Sequence, residues 1–218
     1  MSDGFFVTGT GTEVGKTVVA AVIARGIARE GKRVNVFKPA VSGLDEIEPG
    51  QADHELLRLA ASSSQTDDEI APYRYGPPVS PHLAADLAGE PIDPARLLDR
   101  ARAAVAGAQA LICEGVGGLL VPLTPGYLVR DFARDLGLPA VVAAHPGLGT
   151  INHTLLTIEA ARAVGLEVRS VVLTPWPAEP TSLELSNRAT IESLGAVPVL
   201  TLNEIDLTSP DTWPSLPV

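Results

Sequence analysis

The sequence predicts an α/β fold, a single domain over residues 1–218 with a mostly parallel central sheet of about seven strands and helices on both faces. Three observations predict it. Apolar runs alternate with helix-like segments from one end of the chain to the other, nearly every helix candidate is followed by a glycine, and a glycine-rich loop joins the first strand to the first helix. With 218 residues, 45% of them hydrophobic and 19% charged, the chain is long enough for one well-packed domain and too short for two ordinary ones with a linker.

Taken in order, the apolar runs place strands at 5–8, 34–38, 110–114, 140–144, 168–174 and 197–202. Between them, helical patterns cover 16–30, 52–61, 94–105, 129–136, 150–164 and 183–194. Gly31, Gly107, Gly137, Gly165 and Gly195 stand where C-terminal caps are expected. Stretches rich in Pro, Gly, Ser and acid at 43–50 and 62–81 read as long loops inside the domain, and residues 209–218 as a Pro-rich tail. In open sheets of this kind ligands bind beyond the carboxyl ends of the strands, so the informative residues should follow strands.

The first such place is Gly9-Thr10-Gly11-Thr12-Glu13-Val14-Gly15-Lys16-Thr17, between the apolar run Phe5-Phe6-Val7 and a helix. It reads as a phosphate-binding loop and makes the fold P-loop NTPase-like. Backbone N–H groups and the positive end of the helix would receive phosphate, Lys16 would reach the outer phosphates, and Thr17 would hold magnesium. The spacing is one residue longer than the common pattern, because the first position of that pattern is Thr10. The alternative is a plain glycine-rich turn with Lys16 solvated, which sets a lysine unfavourably against the helix dipole.

Three further strand ends stand out. Lys38 closes the second strand, with Ser42 four residues on; the alternative is a lysine snorkelling to solvent. Glu114 ends an apolar strand before Gly115-Val116-Gly117-Gly118, as a magnesium-holding carboxylate would, or it caps the following turn. Asp53 is either its companion or an N-cap for a helix beginning near His54. Gly147-Leu148-Gly149-Thr150-Ile151-Asn152-His153 opens a helix that is either an anion site or an ordinary helix start. His54, His82, His145 and His153 lack metal-ligand spacing.

Composition excludes other classes. A formal charge of −10 argues against a nucleic-acid binder or an anionic-membrane binder, and no apolar run reaches the roughly 18 residues needed to cross a bilayer. The lone Cys113 excludes an internal disulfide framework, and with no secretory pattern before the loop the expected location is cytoplasmic.

Together the motifs resemble the dethiobiotin synthetase family: Val7-Thr8-Gly9-Thr10 with Thr12 to Thr17, Lys38-Pro39 with Ser42-Gly43, Ser80-Pro81-His82, Glu114-Gly115 with Gly117-Gly118, and Gly149 with Ile151-Asn152-His153. Beyond residue 170 the resemblance rests on strand pattern and on Leu202-Asn203-Glu204-Ile205. It implies ATP- and Mg2+-dependent closure of a cyclic urea from 7,8-diaminononanoate and CO2, through a carbamate and a carbamic-phosphoric anhydride. Lys38, Lys16 and Thr12 are then catalytic, Lys38 first among them. Thr12, Ser42 and, from a partner subunit of a homodimer, Thr150, Ile151 and Asn152 bind the diamine substrate. Thr17, Asp53 and Glu114 hold the metal. The nucleotide falls to Glu13, Val14, Gly15, Lys16, Thr17, Val18, Asp53, Glu114, Gly115, Val116, Gly117, Thr174, Pro175, Leu202, Asn203 and Glu204.

One departure matters. Where many members have an Asn that reads the base, this chain has Thr174-Pro175-Trp176-Pro177, which leaves other nucleoside triphosphates open as substrates. The main rival is a nucleotide-switch ATPase of the partition or cell-division type. Such proteins usually carry a lysine near the start of the loop, here Thr10 and Gly11, and an amphipathic terminal helix, here a Pro-rich end. A corrin amide-forming relative would need a glutaminase domain, and Cys113 reads as a core residue rather than its nucleophile.

Overall fold

A computed structural model describes residues 3–48 and 52–218; the last two residues of the loop expected over 43–50 lie outside the described residues. The chain runs β1 (Asp3–Gly9), α1 (Lys16–Arg29), β2 (Val34–Phe37), α2 (Asp53–Ala61), α3 (Asp67–Ile70), α4 (Pro81–Ala88), α5 (Pro94–Ala106), β3 (Ala110–Gly118), β4 (Pro122–Thr124), β5 (Tyr127–Leu128), α6 (Val129–Leu136), β6 (Ala140–Ala144), α7 (Thr150–Arg162), β7 (Val168–Trp176), α8 (Ser182–Gly195) and β8 (Val199–Asn203). The main sheet has six strands in the order β2-β3-β1-β6-β7-β8, every pair parallel, and β4 and β5 form a separate antiparallel ribbon.

Alternation along the strands builds two faces. Val7, Val36, Ile112 and Val141 point to the side covered by α1 and α2, where Leu57 and Trp213 complete the core. Phe6, Phe37, Leu111 and Cys113 point the other way, against Leu97 of α5 and Phe132 of α6. Beyond β1, Val142, Val171 and Leu173 pack with Ile158 of α7 and Ile191 of α8. Parallel strands buried on both faces explain the continuous apolar runs.

The first two strands of the chain are not neighbours, because β3 inserts between β1 and β2. The carboxyl end of β3 therefore lies between the phosphate loop and the end of β2, with consequences for Glu114. The loop expected over 62–81 contains the short α3, and α4 follows it directly. Of the expected caps, Gly31, Gly137 and Gly165 are left-handed, whereas Gly107 has φ −80°. At the end of α8 it is Ala196, with φ 45°, that makes the left-handed turn. Gly195 stays in the helix, and a Cβ there would sit 3.0 Å from Ile158 Cδ1, so it serves close packing of α8 on α7.

Candidate active site

Residues 10–15 connect β1 to α1, and the loop is anchored from below by Val14, whose side chain is buried. Glu13 (φ 59°) and Gly15 (φ 83°) are both left-handed. Gly15 is required there twice over, because a Cβ would also meet Thr174 Cγ2 at 2.6 Å. Such backbone strain in a non-glycine residue is concentrated where ligands are held. Lys16 is buried and its Nζ donates to Gly11 O at 2.7 Å, so it folds back over the loop rather than into solvent.

A cavity of about 840 Å3 opens in front of this loop, at the carboxyl ends of β1, β2 and β3. Its centre is a set of paired charges. Lys38 Nζ lies 2.6 Å from Glu114 Oε1 and 2.6 Å from Asp53 Oδ2. Thr17 Oγ1 lies 3.0 Å from Asp53 Oδ1 and 2.9 Å from Glu114 Oε1. Glu114 is fully buried and Lys38 only 3% exposed. The position of β3 between its neighbours is what lets the Thr17 hydroxyl from one side and the Lys38 ammonium from the other meet on one carboxylate.

Burial pushes the Glu114 carboxyl above the usual carboxylate range, against the pull of Lys38. Burial works the same way on Asp53, but Lys38 and the Thr17 hydroxyl outweigh it and hold Asp53 below that range. Desolvation opposes the Lys38 ammonium, yet Glu114 and Asp53 more than offset it and raise its pKa. Lys16 goes the other way: burial lowers it, only partly countered by Glu114.

The alternatives for these residues can now be judged. Lys38 does not snorkel and Glu114 does not cap a turn. Asp53 is not the N-cap of α2; Ala52 holds that position, its N–H donating to Glu55 Oε2 at 2.9 Å, which frees the Asp53 carboxylate for the site. Of the expected residues, Thr12, Glu13, Gly15, Lys16, Thr17, Val18, Lys38, Ser42, Asp53, Glu114, Val116 and Gly117 line the cavity. Val14 and Gly115 support it from the core side, a Cβ on Gly115 meeting the Phe6 ring at 3.1 Å. Thr174, Pro175, Leu202, Asn203 and Glu204 lie outside its wall, as do Thr150, Ile151 and Asn152 at the start of α7. Thr174 still leans on Gly15, and its carbonyl lies 3.2 Å from His145 Nδ1.

Several lining residues were missed. Pro78 and Val79 form one wall with Ser80, whose motif the sequence did show, and Val121 and Leu207 reach the rim. Pro77-Pro78 was the signal, a stiff turn inside a long loop. A second cavity of about 760 Å3 lies at the opposite, amino ends of the strands, walled by Phe5, Ile27, Leu138 and Leu216. It holds none of the buried charge pairs.

The residues in front of the loop fit a magnesium ion. Glu114 Oε2 is buried without a hydrogen-bond partner among the described residues, and one Thr17 proton is shared between two carboxylates, so acceptors exceed donors. Oxygen donors alone suit a hard cation that also takes phosphate oxygens.

Comparison with known proteins agrees with the geometry. A family described as an AAA domain matches residues 3–207. The ATP-dependent dethiobiotin synthetase of Bacillus velezensis is 37% identical over 196 residues, covering 90% of this chain and 84% of the relative. That of Bacillus thuringiensis is 42% identical over 200 residues, covering 91% and 82%. Among solved structures, the septum site-determining protein MinD of Pyrococcus horikoshii, complexed with Mg-ADP, superimposes with a TM-score of 0.61 at 14% identity over 94% of this chain and 82% of its own. At that identity the likeness is one of fold alone.

Proposed function

The chain belongs to the ATP-dependent dethiobiotin synthetase family, and from that premise we propose how its cavity closes the ureido ring of dethiobiotin from 7,8-diaminononanoate, CO2 and ATP. The observation that carries the assignment of roles is Lys38, buried and paired with Glu114 and Asp53 directly before the phosphate loop.

The triphosphate lies on the backbone of Glu13, Val14, Gly15, Lys16, Thr17 and Val18, at the positive end of α1. Thr17, Asp53 and Glu114 hold Mg2+, which when bound neutralises charge on the β- and γ-phosphates. Thr12 and Ser42 hold the reacting end of the diamine. One amine takes up CO2 as a carbamate, the carbamate oxygen attacks the γ-phosphorus, and ADP leaves. The second amine then attacks the carbonyl carbon of the mixed anhydride, and phosphate departs with the electron pair of the C–O bond.

Negative charge moves between carbamate, phosphoryl group and leaving phosphate. Lys16 and Lys38 supply fixed positive charge on either side of that path, and each is already held in place by its own partner, Gly11 O or the carboxylate pair. Gly115, Val116 and Gly117 also hold the nucleotide, and its base falls to Thr174, Pro175, Leu202, Asn203 and Glu204. The substrate's distant carboxylate lies at the start of α7, on Thr150, Ile151 and Asn152 of a partner subunit. That start of α7 is outside the cavity of its own chain, and its neighbour Leu148 is 92% exposed, which supports a homodimer. A single domain and a cytoplasmic location complete the proposal.

The test is incubation with diaminononanoate, bicarbonate and Mg-ATP. Cyclic urea should appear by mass spectrometry, with phosphate release that depends on the diamine. Diamine-independent hydrolysis without urea would instead support the switch ATPase.

A further inference from the structure

The Ser80-Pro81-His82 motif has no role in the assignment above, and its geometry is unusual. Ser80 immediately precedes α4, where a serine normally accepts a hydrogen bond from a backbone N–H of the first turn. It makes no such bond. Its Oγ lies instead 3.0 Å from His82 Nδ1, and Ser80 lines the same cavity as Lys38, Ser42 and Thr12.

The wall that carries Ser80 is fastened to the one that carries Ser42. Tyr75 N–H donates to Val41 O at 2.8 Å, Val41 N–H to Tyr73 O at 2.9 Å, and Gly43 N–H to Pro77 O at 3.0 Å. Asp45 N–H donates to Gly76 O at 3.0 Å, and Val79 N–H closes on Pro77 O at 3.0 Å. The backbone on both sides of Ser42 is therefore tied to residues 73–77, which lead directly to Ser80 and into α4 at its first-turn Pro81.

We infer that Ser80 is a substrate-binding residue for the diamine, accepting an N–H of one of the two reacting amines, and that His82 is the positioning residue that turns the Ser80 hydroxyl for it. The inference rests on the functional reading above. Two vicinal amines must react in turn at one carbon, so both need directional acceptors. Glu114 and Asp53 are paired with Lys38 and Thr17 and are assigned to the metal, so the hydroxyl groups that line the same cavity are the neutral acceptors beside them. A neutral acceptor also favours the uncharged, nucleophilic amine, where a carboxylate would favour the ammonium. With the Ser80 proton donated to His82 Nδ1, the lone pairs of Oγ are free toward the cavity.

Steady-state kinetics with cyclic urea as the readout test this, varying the diamine at saturating Mg-ATP and then Mg-ATP at saturating diamine. Ser80→Ala should raise the diamine KM about tenfold, the worth of one hydrogen bond, and leave the ATP KM within about twofold. Ser80→Thr, which keeps the hydroxyl, should stay within about threefold of wild type. His82→Ala should raise the diamine KM in the same sense, and His82→Asn, which restores a polar atom near Nδ1, should reverse it. Because His82 acts through Ser80, the double alanine variant should match Ser80→Ala alone. A diamine KM unchanged in Ser80→Ala, equal changes in both KM values, or additive effects in the double variant would each overturn the inference. A wild-type protein that forms no urea would sink the functional reading itself, whereas an active wild type with a silent Ser80→Ala sinks this inference alone.

Discussion

Around Lys16, Lys38 and Glu114 the cavity is built on buried, paired charges, whereas the strand ends assigned to the base hold no charge pair: Thr174 and Leu202 are buried in packing, and Pro175, Asn203 and Glu204 are exposed. Thr174 turns its methyl group into Gly15, its carbonyl meets His145, and Pro175 has no N–H to give. The difference teaches where discrimination can arise. Charge compensation in a buried site is worth much and tolerates no missing member, while isolated exposed hydrogen bonds are worth about 1 kcal/mol each.

The strongest way to break this contrast is Lys38→Ala. Turnover should fall about a hundredfold or more while nucleotide binding stays largely intact, measured by urea formation and by equilibrium titration with ATP. Near-normal turnover would remove Lys38 from the mechanism. The substitution also takes from Glu114 and Asp53 their nearest counter-charge, so the ligand-free protein should lose about 3 kcal/mol of stability. Added Mg2+ should raise the unfolding midpoint of this variant more than that of wild type, a readout independent of activity. Equal shifts would show that the carboxylates do not form the metal site.

A smaller effect tests the one contact that joins the two regions. Gly15→Ala must bear a left-handed φ of 83° and a Cβ placed 2.6 Å from Thr174 Cγ2. The conformational part is worth about 1 kcal/mol, and the overlap brings the total to roughly 2–3 kcal/mol by urea denaturation. Thr174→Ala in that background removes the methyl group and should recover the overlap but not the conformational part. Identical single and double variants would show that Thr174 does not press on the loop.

The phosphate loop was legible because its chemistry is contiguous: strand, glycines, Lys16 and Thr17 fall within a few residues, and both side chains line the cavity at the start of α1. Lys38, Glu114 and Asp53 could each be singled out as strand-end or loop residues, but not their mutual pairing. That depends on β3 lying between β1 and β2, which no local pattern encodes. Asp53 shows the cost of local logic, since its place beside a helix start suggested a cap while Ala52 stands at the cap and the carboxylate faces Lys38. The α4 helix was overlooked although Pro81 at its first turn and the left-handed Gly89 after it mark both ends. The wall that precedes it, Pro78 to Ser80, follows residues 73–77, which backbone hydrogen bonds fasten to residues 41–45.

The smallest predicted effect concerns the base. An Asn reads adenine by giving and taking a hydrogen bond at once through its two amide atoms, a paired contact that the single hydroxyl of the buried Thr174, its methyl against Gly15, cannot make. Asn203 and Glu204 are exposed, so any bond they make competes with water. ATP, CTP and GTP compared at matched Mg2+ should therefore support urea formation at kcat/KM values within about tenfold of one another, one or two weak hydrogen bonds apart. Thr174→Asn, which has a single branch at Cβ and can turn its amide away from Gly15, should widen that spread in favour of ATP. A wild-type preference for ATP alone, by a hundredfold or more on the same scale, would mean that the base end is as selective as the phosphate end and that the contrast between them is false.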